Sequence, residues 1–479
     1  MQPFIHLHVH SQYSILDGQA SIPALVDKAI RDGMKGLALT DHGNMFGIKE
    51  FFNLVKKKNG ATKDAIKGVQ KRIEAIESGA EEVEDKEKEL ASLQEEKAKL
   101  EAKIFKPIFG CEMYVARRRL TDKEATPREI RTTVVNEVEG FSIRRGAVDE
   151  GGYHLVVLAK NLKGYHNLVK LVSKGWTDGF YSRPRTDKYE LEKYHEGLIV
   201  CSACLGGEIP RRILTGDIQG AEEAILWFKN IFGEDYYLEL QRHKATVPRA
   251  NHQLQQVVND RLIEFSRKHG IKLVCTNDVH FVEEENAEAH DRLICLSTGK
   301  DLDDPNRMLY TKQEWLKTQQ EMNDIFSDVP EALSNTLEIL DKVEFYSIDH
   351  PPLMPTFPIP ENFGTEEEYR KKFTEEDLFN EFTRDENGNV VLNEAAAHKK
   401  IENLGGYDKL YRIKLEADYL KELTFKGAHE RYGEELSDEI MERITFELHI
   451  MKTMGFPGYF LIVQDFINAA RRELDVSVG

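Results

Sequence analysis

Three histidines at alternate positions, His6, His8 and His10 in HLHVH, are the first residues of the chain with the spacing of a chemical site. On an extended segment, positions i, i+2 and i+4 point to one face. Two imidazoles so placed can grip one divalent ion, because neutral ring nitrogens are good ligands for zinc and similar metals. His8 and His10 are the expected ligands. His6 is expected in the core or behind them, since two histidines saturate the reach of one strand. More ligand types stand at or near the ends of other apolar segments. Asp17 lies in the turn after the first, Asp41-His42 end the second, Glu112 falls inside the third, Cys204 follows the fifth, and Asp278 and His280 close the last. A structural zinc site does not use so many carboxylates. Carboxylates that bridge ions, with coordination positions left open, are the makeup of a hydrolytic cluster. Such a cluster acidifies water to a pKa of about 7 in favourable sites and neutralises a phosphate oxygen, so phosphoester hydrolysis is a natural use. Asp41 is expected to orient a neighbouring ligand rather than to bind metal.

These residues need a frame that brings segment ends together. Seven short apolar segments, 4–10, 36–42, 108–116, 154–160, 197–203, 236–243 and 271–280, read as buried strands. Helical patterns lie between most of them. The clearest are 21–34, with Ser21 as N-cap, Pro23 in the first turn and Gly33 near the stop, and 250–270. Strand-helix alternation predicts an α/β barrel of about seven units, with functional groups at the strands' C-terminal mouth.

Two insertions interrupt the alternation. Residues 56–104 carry apolar residues at Ile66, Val69, Ile73, Ile76, Leu90, Leu93, Leu100 and Ile104, which predicts two amphipathic helices joined at Ser78-Gly79. Residues 117–152 read as a loop or small ribbon. After about 285 helical patterns dominate, broken by the proline-rich stretch 350–360 and followed by helices near 436–454 and 455–474. The apolar, uncapped end at DVSVG is expected to be a truncation.

The chain has 479 residues, 41% hydrophobic and 31% charged, with a net charge of −18 and five cysteines. No signal peptide and no apolar run of transmembrane length is visible, so a cytoplasmic protein with no membrane partner is expected. Five cysteines in this length make no disulfide framework. Cys201 and Cys204 form a CxxC with no second pair to complete a zinc ribbon, and Cys111, Cys275 and Cys295 are expected as buried small hydrophobes. The acidic balance argues against a surface-wide nucleic-acid binder, though not against a local basic groove. Arg183 and Arg185 in GFYSRPR are placed to meet either backbone phosphate or a surface carboxylate. His243 is ambiguous. The remaining histidines, His290 among them, have no evident partners.

HxHSxYS with Asp17-Gly18, then TDHG, GCEMY, YHLVVLAKN, CLGGEI and NDVHF, in this order, resembles the polymerase and histidinol phosphatase (PHP) family. The flanking ALVDKAIRDGMKGLALTDHGNMFGIKEFF, GYHNLVKLVS, GFYSRPR and MGFPGYFLIVQDFINAAR resemble, within it, the alpha subunits of bacterial DNA polymerase III. The resemblance implies a distorted seven-stranded (β/α) barrel over 1–285 with the hairpin and loop insertions, followed over 286–479 by the α+β start of a polymerase palm. It implies two to three divalent ions (Zn²⁺, Mn²⁺ or Fe²⁺). His8, His10, Glu112 and Asp278 would hold one, Asp17, His42 and His280 another, and Glu112, His154 and Cys204 a third. His154 is an awkward member, because it starts its strand. Either that strand runs against its neighbours or its boundary is misplaced. By the same resemblance, the loop that cradles the incoming triphosphate and the carboxylates of polymerisation, with their Mg²⁺, lie beyond residue 479. The implied partners are primer-template DNA, a sliding clamp, a clamp loader and a proofreading subunit. Two uses of the cluster follow: 3′–5′ exonuclease or phosphoesterase chemistry, or a metal-stabilised scaffold that docks a separate proofreading exonuclease. An amidohydrolase barrel also begins with HxH, but it needs a bridging lysine at a strand end, and none stands there.

Overall fold

The computed structural model describes residues 1–123, 132–134, 142–144, 151–243, 252–350, 353 and 355–478. Most of the loop insertion 117–152, part of the proline-rich stretch 350–360 and the start of the expected helix 250–270 lie outside them. The chain divides into two compact units, Met1–Asp349 and His350–Gly479.

The strands, in chain order, are β1 (Gly36–Leu39), β2 (Lys106–Val115), β3 (Thr132–Val134), β4 (Ser142–Arg144), β5 (Tyr153–Ala159), β6 (Phe180–Tyr181), β7 (Arg183–Thr186), β8 (Leu198–Cys201), β9 (Tyr236–Gln241) and β10 (Leu273–Thr276). All but β3 and β4, which pair with each other, form one eight-stranded sheet in the order β10-β9-β8-β5-β2-β7-β6, with β1 paired to β2. β2 runs parallel to β1 and β7, and β9 parallel to β8 and β10. β5 runs against both of its neighbours, β2 and β8. That reversal settles the awkward position of His154: the start of β5 lies beside the end of β2, with His154 opposite Tyr114.

Alternation sorts the two faces of this sheet. Leu155, Val157 and Ala159 of β5 join one core with Cys111, Met113, Val200, Leu238 and Leu240 under the covering helices. Val156 and Leu158 join the other core with Ile199, Cys201, Tyr237, Val274 and the N-terminal Ile5, Leu7 and Val9. Glu112, His154 and Glu239 share the register of this second, inner face, which is why polar ligands end up inside.

The segment 4–10, expected as the first strand, is not a regular one. Its recorded bridge is Val9 to Val279. It is nonetheless bonded on both sides: Ala38 N donates to His6 O at 3.0 Å, and His10 N to Val279 O at 2.7 Å. Side-chain hydroxyls replace ladder partners elsewhere, since Ile5 N donates to Thr336 Oγ1 and Val9 N to Thr40 Oγ1. The segment thus lies between β1 and the residues after β10, as a stave closing the curled sheet. The β6–β7 ribbon was not expected.

The first predicted helix forms over Ile22–Arg31, with Ser21 Oγ accepting from Ala24 N and Gly33 at φ +77° just beyond. The hairpin forms as helices Gly60–Ser78 and Lys86–Glu101, with Gly79 at φ +77° ending the first. Val69, Ile73, Ile76 and Leu93 bury its seam. Asn59 clamps its base, donating to Phe105 O at 2.7 Å and accepting from Phe105 N at 3.1 Å.

The first compact unit extends to Asp349. Helices Gln319–Ile325 and Pro330–Lys342 supply Met322 and Leu333 to the outer core, joined by Phe326 from the turn between them, and Ile339 and Leu340 to the inner one. In the second unit the regular elements among the described residues are helices, where an α+β composition was expected. Tyr407–Tyr432 is the longest, and Asp438–Thr453 and Pro457–Arg472 are separated at Gly455, φ +80°. The core of this unit is Tyr369, Leu378, Phe382, Ile401, Leu410, Tyr411 and Leu415. No helix among the described residues is long and apolar enough to cross a membrane.

Candidate metal centre

Glu112, 1% exposed and central on β2, is the hub around which the expected ligands gather. Its Oε1 lies 3.3 Å from His8 Nε2 and 2.9 Å from His154 Nδ1, and its Oε2 lies 3.6 Å from His10 Nε2 and 2.5 Å from His42 Nδ1. Cys204 Sγ is 3.6 Å from both Glu112 Oε1 and His154 Nδ1. Asp278 Oδ1 stands 3.2 Å from His8 Nε2 and 3.3 Å from His10 Nε2. Asp17 faces the same space, 2.9 Å from His42 Nε2 and 3.7 Å from His280 Nε2. All nine residues expected from the sequence therefore meet in one place. Three sets of donor atoms, in His8-His10-Asp278, His10-His42-His280 and His42-Glu112-His154, each lie within 4.8 Å of one another.

The histidines are aimed by the partners of their other nitrogens. His8 Nδ1 is held by Glu239 Oε1 at 2.7 Å, His10 Nδ1 by Ser14 Oγ at 3.0 Å, and His280 Nδ1 by the carbonyl of Asp278 at 2.7 Å. With Nδ1 engaged in each, Nε2 is the nitrogen turned inward, the one a metal would take from a neutral ring. Ser14 Oγ in turn donates to Asp41 Oδ1 at 2.8 Å, and Asp41 also takes Ser11 N at 2.7 Å. Asp41 thus reaches His10 through a hydroxyl. Asp278 has φ +49°, a left-handed conformation that costs a non-glycine residue of order 1 kcal/mol or more. Such strain persists where the surroundings over-determine it, here by fixing both the carbonyl and the carboxylate of one residue.

The electrostatics are those of a cation site. His8 Nε2, His10 Nε2, His42 Nδ1, Glu112 Oε2 and Asp278 Oδ1 are buried with no hydrogen-bond partner. Buried polar atoms are rarely left so, and here they converge on common space. Divalent ions would satisfy them together, so the residues present fit the metals that the resemblance implies. Burial opposes charge on Glu112, but His154, His42 and His8 hold its carboxyl well below the usual range. Burial also opposes charge on His8 and His42, yet surrounding carboxylates hold both well above 6.5, and burial on His280 is outweighed by Asp17, which raises it to about 9. His10 is driven down to about 3 by burial and by its neighbours His42 and His280. Burial pushes the Cys204 thiol up. The cluster holds protons where cations would bind.

Several residues around the cluster carry no signal in the sequence. Glu239 lies inside an apolar strand. His290, buried 3.8 Å from Asp17 Oδ1, has an unpartnered Nε2. Tyr310 donates to Asp17 Oδ1 at 3.0 Å. His243 bonds Thr311 Oγ1 and the carbonyl of Asn277, outside the cluster. His6 bonds Lys317 O at 2.8 Å in the core, and burial lowers it to about 4. Arg185 cannot meet phosphate: it is fully buried and donates to the carbonyls of Gly179, Leu120 and Asp122.

Residues 6–243 match the family described as PHP domain, and residues 418–479 match the bacterial DNA polymerase III alpha NTPase domain. The chain is 36% identical over 478 residues to DNA polymerase III subunit alpha of Borreliella burgdorferi, covering 99% of this chain and 31% of that protein. It is 32% identical over 498 residues to the same subunit of Thermus aquaticus, covering 99% and 34%, and 31% identical over 478 residues to that of Treponema pallidum, covering 99% and 30%. The chain spans about a third of the length of these relatives.

Proposed function

We propose that this chain, which carries a PHP domain and is homologous along 99% of its length to bacterial DNA polymerase III alpha subunits, hydrolyses phosphodiesters at the 3′ end of a DNA strand with two to three divalent ions. The supporting observation is the convergence of five buried donor and acceptor atoms, none of them hydrogen-bonded, on the space around Glu112. His8, His10, Glu112 and Asp278 would hold one ion, Asp17, His42 and His280 a second, and Glu112, His154 and Cys204 a third. Mixed imidazole, carboxylate and thiol donors suit Zn²⁺, Mn²⁺ or Fe²⁺. Bound there, such ions lower the pKa of water and offset charge on the phosphate. The chain's own part is to fix the geometry: Glu239, Ser14 and the Asp278 carbonyl hold three imidazoles in one tautomer. Asp41 steadies His10 through Ser14. The domain plan carried forward is a PHP domain over 1–285 and the start of a polymerase palm over 286–479, within a replicative, cytoplasmic, Mg²⁺-dependent DNA polymerase. Its partners would be primer-template, sliding clamp, clamp loader and a proofreading subunit.

The decisive experiment is hydrolysis of a mismatched primer terminus by purified protein with Mn²⁺ or Zn²⁺. Release of nucleotides well above an Asp278→Ala control is expected, and equal rates would sink the exonuclease reading. A scaffold reading draws on the same buried atoms, since ions that satisfy them stabilise the fold. It predicts a lower thermal midpoint on chelation with no turnover on any phosphodiester.

A further inference from the structure

Beside the cluster three aromatic side chains lie in the open: Phe46 is 57% exposed, Trp176 43% and Phe180 44%. They form one strip. The rings of Trp176 and Phe180 stack with centroids 5.6 Å apart and planes 25° apart, and Phe46 lies 5.9 Å from Trp176. The strip is tied to the proposed metal centre by its backbone. Trp176 Nε1 donates to the carbonyl of Gly43 at 2.9 Å, and Gly43 directly follows His42. Gly43 sits at φ +60°, and a Cβ there would come within 2.7 Å of Pro184 Cγ and 3.0 Å of the Tyr114 ring. The His42 loop is therefore seated tightly on the β6–β7 ribbon that carries Phe180.

Arg183 completes the arrangement. Its guanidinium lies 5.7 Å from the centre of the Tyr114 ring. That ring faces His42 at 6.2 Å and His154 at 5.2 Å. Arg183 is exposed and has no ion-pair partner among the described residues. In a chain of net charge −18, an exposed arginine whose guanidinium lies over a ring of the cluster's wall is placed to attract a phosphate there.

We propose that Phe46, Trp176 and Phe180 are a stacking platform for the terminal bases of a single-stranded DNA end, and that Arg183 meets a backbone phosphate between platform and cluster. The inference rests on the phosphodiester reading and names what holds the strand. Ions and their ligands act on phosphate alone and cannot tell a nucleic acid from any other ester. Exposed rings can, because every base has a π-face. Stacking on aromatics contributes about 1–3 kcal/mol per base and is tolerant of sequence. Contiguous exposed aromatics mark a binding surface, and the exposed Arg183 at its edge, without an ion pair among the described residues, favours a polyanion over a protein segment.

The test is binding of a fluorescein-labelled phosphorothioate oligothymidylate, which resists hydrolysis, in Mn²⁺, followed by anisotropy on the full chain. Trp176→Ala and Phe180→Ala are each expected to weaken binding about tenfold, and Trp176→Phe to keep most of it. A strand whose last nucleotides are abasic should bind the unaltered protein as weakly as the standard strand binds Trp176→Ala. Phe180→Ala leaves the indole bond to Gly43 intact, so it decides the matter if Trp176→Ala unfolds. Binding that is absent from the unaltered protein, or equal in Phe180→Ala, overturns the platform. Binding that depends on the rings, with no cleavage of the matching phosphodiester strand, would retire the exonuclease reading and leave the platform standing.

Discussion

Both units of this chain bury charge, but the cluster in the first does so in a way opposite to the second unit. In the second unit Lys414, 8% exposed, meets Glu381 at 3.1 Å and Asp418 at 2.7 Å, and Glu381 also takes Lys452 at 2.7 Å. Arg412 meets Glu416 at 2.8 Å. Each charge there has its counter-charge within the helices, which is how a structural interior tolerates ions. In the first unit His8, His10, His42, Glu112 and Asp278 crowd together, with five buried atoms that face one another at 2.5–3.6 Å and make no hydrogen bond. The second arrangement is complete as folded, and the first is complete only with something added. Isolated unpartnered atoms also occur in the core, as at Thr186 and Tyr236, so the crowding of five of them into one space, rather than burial of charge as such, is what sets the cluster apart.

Glu112→Gln should break the comparison most sharply. The amide cannot bridge ions as a carboxylate does, so hydrolysis of a primer terminus should fall at least 10³-fold, about 4 kcal/mol of transition-state stabilisation. Elemental analysis should show fewer ions per chain. Retention of both activity and metal content would remove Glu112 from the hub of the site.

Removing the ions should come next in size. An ion present at a hundred times its dissociation constant stabilises the folded state by about 2.7 kcal/mol. Chelation should therefore lower the calorimetric midpoint of the first unit's transition. If the second unit unfolds separately, its transition should stay in place. A first-unit midpoint indifferent to chelator would mean that the five crowded atoms are satisfied without metal.

The complementary change in the second unit is Glu381→Ala, which leaves Lys414 and Lys452 short of a partner. Glu381 is about a quarter exposed, so the loss should be smaller than for a fully buried pair, about 2 kcal/mol by denaturant unfolding. Metal content should not change. A variant as stable as the parent would show that these contacts contribute nothing.

Most of the proposed ligands were legible in the sequence because they belong to short local patterns: HLHVH, His42 in TDHG, Glu112 in GCEMY, Asp278 and His280 in NDVHF; His154 was reached only through the resemblance. The strand ends that carry them were legible for the same reason, as brief apolar runs. What aims them was not. Glu239 is one acid in the apolar strand YYLELQ, and only the inner-face register and the approach of His8 give it a role. Tyr310 and His290 come from beyond the apparent end of the barrel, and distance in the chain hid their contact with Asp17. The reversal of β5 and the irregular first stave depend on pairings across the sheet, and a period of two cannot encode which neighbour a strand takes. The helical hairpin, whose contacts are local, was read correctly down to its turn at Gly79.

The smallest effect concerns a charge that belongs to neither pattern. Lys317 is 2% exposed, lies 3.4 Å from the centre of the Trp315 ring and donates to the carbonyl of Gln313. Burial, only partly offset by Glu314, Glu321 and Glu284, lowers it from 10.5 to about 7. Between those values the unfolded chain binds the proton and the folded chain does not, so this residue makes stability rise with pH from about 7 towards 10.5. Below pH 7 both states are protonated, and the whole cost of burying the charge is present. Lys317→Met keeps the stem and removes the charge, and the bond from His6 to the Lys317 carbonyl survives because it is made by backbone. The variant should be more stable than the parent by about 1 kcal/mol at pH 7, with the gap closing as pH approaches 10. Urea midpoints of parent and variant across that range measure it, and a gap that does not change with pH would show that Lys317 stays charged when buried.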